Sequence, residues 1–202
     1  MSEFPSDLTN STNVAHLIEE MKRAGLDFDA GLTDDEIDAA EKRFEFKFPP
    51  DLKNLLQHAL LRAIDLQGKP DSPNWRNFDD PFTLAAFKRP AESFLWDMEN
   101  NDFWLQSIGT KPTHKTEAQK IMIETVQRAP KLIPIFGHRF LPAEPCETNN
   151  PVISFWQPSD TIYYGANLYD YFATEFLRRP HMSSGIIPKK IPFWSQLIEE
   201  TS

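Results

Sequence analysis

The chain has 202 residues, 40% of them hydrophobic and 12% aromatic, including 16 Phe and 5 Trp. That composition excludes a disordered chain, and a chain of this length buries roughly 70% of its unfolded surface without a metal or disulfide. The formal net charge of −9 has the wrong sign for a general phosphate-backbone binder.

The first twelve residues are polar and read as frayed. A helix is predicted over 13–24, where Val14, Leu17, Ile18 and Met21 recur at helical spacing before Gly25. A second is predicted over 34–45, opened by a capping box between Thr33 and Glu36. Pro50 suits the first turn of a third, over 51–62, carrying Leu52, Leu55, Leu56, Ala59 and Leu60. Gln67 to Pro81 reads as a long loop, a lid or an elaborated connection. Residues 82–110 are apolar enough to be core, but strand and helix cannot be separated there by period.

A helix is expected over 115–128, stopped by Pro130. Strands are expected near 132–136, 152–157 and 161–164, the last two joined by the turn Gln157-Pro158-Ser159-Asp160 and therefore antiparallel. A helix over 167–177 follows, then a basic, Pro-rich link and a final helix from Ile191 to Glu199. The pattern predicts an α+β fold, with helices packed against a central antiparallel or mixed sheet. A single domain over 1–202 is expected, with its core over about 30–178.

The charge is uneven: residues 1–65 carry 14 acids and 7 bases, net −7, and the remainder is net −2. Asp34, Asp35 and Asp38 sit in this acidic third, a field that either solubilises the chain or draws cationic partners. Cys146 is the sole cysteine, so no internal disulfide is possible. Its acidic neighbourhood argues against a catalytic thiolate. No phosphate-binding Gly-rich loop or Gly-x-Ser-x-Gly elbow is present. His16, His58, His114, His138 and His181 include no helical metal pair. No cofactor or metal is expected. The N-terminus carries neither the basic nor the apolar region of a secretory signal, and no apolar run is long enough to cross a membrane. A cytoplasmic location is expected, in keeping with the lone cysteine.

The most unusual polar grouping is His138 and Arg139 after an apolar strand, with Asp160, Tyr163 and Tyr164 near the ends of later strands. If the strands share a sheet these groups converge, as a network fixing the connections or as a recognition pocket. His138, Arg139 and Asp160 are expected within hydrogen-bonding reach of one another or of nearby backbone. Of the five tryptophans, most are expected in the core, and Trp75, in a polar loop, is the one expected to be partly exposed.

Glu36 and Glu41 in the second helix, followed by Phe48, Pro49, Pro50 and Leu52, resemble the opening signature of the SUKH superfamily. This groups the fungal Smi/Knr cell-wall regulators with bacterial immunity proteins. The run Leu132 to Ile135, Gly137 to Arg139, Asn150 to Val152 and Asp160 to Gly165 resembles a bacterial subgroup. The resemblance spans about residues 30–178, apart from a middle insertion over about 65–115. It implies a non-enzymatic protein-binding module that neutralises a toxin, the partner being another protein; the acidic third makes a basic toxin domain the expected kind. A Smi/Knr-type regulatory scaffold is the alternative it allows. A small-ligand enzyme using His138, Asp160 and Tyr163 or Tyr164 is the alternative from another class.

Overall fold

Asn10 accepts the amide of Thr12 at 2.9 Å and opens α1 (Ser11–Arg23). The computed structural model describes residues 7–180 and 185–202. Within the stretch read as frayed, Leu8 is instead buried in the core. Its first six residues, and His181 in the basic link, lie outside the described residues. In α2 (Asp34–Phe44) the capping box forms in full: Thr33 Oγ accepts from Glu36 N, and Glu36 Oε2 accepts from Thr33 N.

Two short strands lie either side of α2 in the chain. The first, β1 (Asp27–Ala30), pairs antiparallel with β2 (Ala59–Arg62). The helix predicted over 51–62 is therefore two elements, α3 (Pro50–His58) and then β2. The chain turns extended at Ala59 because β1 supplies its hydrogen-bond partners. Leu32 N also donates to Leu56 O at 2.8 Å. The backbones approach so closely here that a Cβ on Gly31 would lie 2.0 Å from the Gln57 carbonyl oxygen.

Residues 81–100 form one long helix, α4 (Pro81–Asn100). Asp80 caps it through Thr83 N and Oγ, Pro81 takes the first turn, and Pro90 lies inside it, buried. The helix α5 (Lys115–Arg128) follows as predicted.

The second sheet has four antiparallel strands in sequential order: β3 (Leu132–Phe136), β4 (Arg139–Pro142), β5 (Val152–Phe155) and β6 (Thr161–Gly165). β4, where the sequence predicts no strand, pairs with both β3 and β5. Pro134 is tolerated because β3 is an edge strand. α6 (Leu168–Leu177) and α7 (Trp194–Thr201) complete the α+β fold. The final helix begins three residues later than the predicted Ile191, because Phe193 takes a positive φ of 66°.

Strand alternation divides the core between the faces of this sheet. Ile133, Ile135 and Leu141 join α1, α2, α3 and α6 in one apolar cluster. Leu132, Phe140, Ile153 and Phe155 join α4, α5 and α7 in the other.

Trp75 is 2% exposed, correcting the expectation that it is partly solvent-facing. Its indole packs edge-on against Phe48 at 5.1 Å and Phe44 at 5.9 Å. Burying that large apolar area draws the loop inward. Arg76 then ties the loop to α2 and β1, bonding both Glu36 oxygens and the carbonyls of Ala30 and Gly31.

Candidate binding surfaces

The helix-Pro-helix segment is held by one carboxylate. Glu41 is 5% exposed. Its Oε1 accepts from Phe48 N at 2.9 Å, and its Oε2 accepts from Lys47 Nζ at 2.5 Å. That bond fixes the turn between α2 and α3 and leaves Asp34, Asp35 and Asp38 exposed on α2. Asp34 accepts from Gln57 at 2.7 Å. Asp38 borders an open groove that also takes in Lys131 and Ala143, at the start of β3 and just past β4.

The opposite end of that hairpin carries His138, at the Gly137 turn. Burial first, then the Arg139 and Arg89 charges, lower the His138 pKa to about 4. The ring is therefore neutral at pH 7. It makes an edge contact with Trp156 at 5.8 Å.

Arg139, on β4, faces the other side of the sheet. Its Nη1 donates to Ser154 Oγ at 2.9 Å, its Nε lies 3.7 Å from Glu175 on α6, and its guanidinium covers the Tyr164 ring. Tyr171, fully buried beside Glu175 and Arg139, has its phenol pKa raised well above the ordinary value by burial.

The expected hydrogen-bonded cluster of His138, Arg139 and Asp160 does not form. Asp160 is exposed in the short turn Pro158–Asp160 and reaches His138 only through its field. Successive residues on a strand point to opposite faces, so the backbone that brings Arg139 to Glu175 turns it away from that turn. Tyr163 and Tyr164 separate for the same reason. Tyr163 donates to Ser195 Oγ at 2.6 Å and docks α7, while Tyr164 lies under Arg139.

A groove that sequence reasoning missed lies between α4 and the turn after β5. Arg89, Ser93 and Trp96 line one wall and Trp156 and Gln157 the other. Trp96 is 52% and Trp156 57% exposed, correcting the expectation that they are core. Arg89, Ser93 and Trp96 recur at helical spacing, a signal legible only once 82–110 is known to be helix.

Cys146 is exposed. Desolvation and the nearby Glu41 carboxylate raise its pKa, which disfavours the thiolate. Among the described residues no group of three His, Cys, Asp or Glu side chains is placed to hold a metal ion. No helix among them is long and apolar enough to cross a membrane. Comparison of the chain with family models, with curated proteins and with solved structures returns no match.

Proposed function

We propose that the chain is a non-enzymatic protein-binding module, an immunity protein of the SUKH type that neutralises a basic toxin domain in the cytoplasm. The observation that carries the reading is the acidic face of α2. Asp34, Asp35 and Asp38 stand exposed on a helix clamped at both ends, by the Thr33–Glu36 capping box and by Glu41 on the following turn. Carboxylates held on a rigid element attract a cationic surface and speed its encounter. Nucleases need basic surfaces for phosphate, so a toxin of that class is a fitting target. Among the residues behind the SUKH likeness, Glu36 completes the cap of α2 and Glu41 bonds Phe48 N in the turn before α3, which supports the same reading.

The test is co-purification with proteins of the source cell, followed by binding kinetics at two salt concentrations. Association slows as salt rises, and charge reversal at Asp34, Asp35 and Asp38 slows association more than it speeds dissociation. A tight partner indifferent to both salt and reversal defeats the acidic-face reading. Turnover of a small molecule abolished by His138→Ala replaces it with an enzyme.

A further inference from the structure

A half-buried arginine lies at the floor of the groove between α4 and the β5–β6 turn. Arg89 Nη1 donates to Gly137 O at 3.1 Å, and its guanidinium stands 5.3 Å from the Trp156 ring and 5.9 Å from the Phe140 ring. Among the described residues no carboxylate comes within ion-pair distance of it. Asp71 acts on it only through space. A guanidinium carries five N–H donors and no acceptor, and apart from the Gly137 bond those of Arg89, which lines the groove, have no hydrogen-bond acceptor among the described residues.

The two indoles share this one-sided chemistry, while Ser93 and Gln157 beside them carry acceptors as well as donors. An indole is a donor with no acceptor. Trp104 and Trp194 donate to the carbonyls of Gly109 and Pro130. The indole N–H groups of Trp96 and Trp156 have no such acceptor among the described residues. The groove is therefore lined by two exposed indole rings and a guanidinium with one protein acceptor, and an occupant that brings apolar surface and a planar acceptor group together fits it.

The groove is also held open in advance. Ser93 Oγ donates to Trp156 O at 3.1 Å. One turn along α4, buried Asp97 accepts from Ser159 N and Oγ at 3.2 and 3.0 Å, stapling the β5–β6 turn to the helix. A preformed site loses little freedom on binding.

We infer that this groove docks an extended, proline-containing segment of another protein, with a prolyl or aliphatic side chain between Trp96 and Trp156 and an Asp or Glu carboxylate on Arg89. Polyproline II segments expose their carbonyls and lie in aromatic-lined grooves, where indole N–H groups take those carbonyls. The carboxylate matches the planar guanidinium fork. Single-stranded nucleic acid also brings rings and acceptors, but it carries a negative charge at every nucleotide against a net charge of −9, whereas the peptide needs one carboxylate. The site lies at the other end of the β3–β4 hairpin from Asp38 and is independent of the acidic-face reading.

The test is selection of a random dodecapeptide display library on the whole protein, followed by affinity measurement with synthetic copies of the enriched peptides. Enriched sequences should carry an Asp or Glu next to Pro or an aliphatic residue. Asn or Gln copies, and the variants Trp96→Ala and Trp156→Ala, should each weaken binding by about tenfold or more, as expected at aromatic and arginine hot spots. Arg89→Lys, which keeps the charge and loses the fork, should weaken it too. Reversal at Asp34, Asp35 and Asp38 should leave it unchanged, which separates this site from the acidic face. The proposal is overturned by a library that enriches nothing or enriches peptides without an acid. Binding that survives both Trp variants overturns it, as does oligothymidylate bound more tightly than any peptide. Self-association lost in Trp156→Ala assigns the groove to a second copy of this chain instead.

Discussion

The guanidinium carbon of Arg139 lies 3.8 Å from the centroid of the Tyr164 ring, with β5 between their strands. The same side chain bonds Ser154 on that middle strand and pairs with Glu175 on α6. One cation thus joins three strands and the helix that covers them. Arg139→Ala removes all of these contacts and strands Glu175 in a largely buried site. A loss of about 2–3 kcal/mol is expected, below the cost of breaking a fully buried pair because both groups keep some solvent. Asp160→Ala, at an exposed position, should change stability by no more than about 0.5 kcal/mol. Urea denaturation of the two variants measures both, and an equal loss would show that Asp160 carries structural weight its exposure hides.

Glu41→Ala should destabilise by about 1–3 kcal/mol, the cost of leaving the buried Phe48 N–H without its acceptor. Lys47→Ala should cost less, since the ammonium end of that pair is exposed. A reversed order in the denaturation midpoints would place the energy in the ion pair rather than in the backbone bond.

His138 is held neutral in the folded chain, with a pKa lowered from 6.5 to about 4. The unfolded chain therefore binds more protons between these values, so stability contributed by His138 is complete above pH 6.5 and is lost as pH falls toward 4. The slope of unfolding free energy against pH should be shallower in that window for His138→Gln than for the parent. Identical slopes would mean that the ring is solvated.

Trp75→Ala should be the most damaging of these substitutions, at about 3–5 kcal/mol, because it empties a site among aromatic rings. Tryptophan fluorescence supplies a check that needs no variant of the core. Acrylamide should quench Trp96 and Trp156 and leave Trp75 protected, so that Trp96→Ala and Trp156→Ala each reduce the quenchable fraction. Trp104 is partly exposed as well, so quenching that persists when Trp104 is also replaced would contradict the burial of Trp75.

Elements stated by adjacent residues were legible in the sequence alone. The Thr33–Glu36 capping box, Pro50 at a first turn, the apolar runs of β3 and β5 and the Gln157–Asp160 turn each rest on neighbours within a few positions, so α+β follows from them. Asp80-Pro81 with Thr83 is a signal of the same class, a cap followed by a first-turn proline at the start of α4, but a reading by period passes over it and leaves 82–110 unassigned. Three exposed aspartates on α2 follow as well, because helical period and a capping box decide which face they occupy.

Tertiary structure decided what depends on residues far apart in the chain. The apolar spacing of Leu52, Leu55, Leu56, Ala59 and Leu60 fits a longer α3 as well as α3 followed by β2. Only the approach of β1 to the end of α3 makes the strand, and the switch falls at Ala59. Trp75 is buried because Phe44, Phe48 and Phe87 meet around it, and a polar loop sequence carries no mark of that. Arg89 meets Trp156 because α4 packs on the sheet face that carries Phe140 and Phe155, a juxtaposition no local pattern encodes. Local hydrogen bonds and side-chain period are properties of a few consecutive residues; burial and convergence are properties of the whole packed chain.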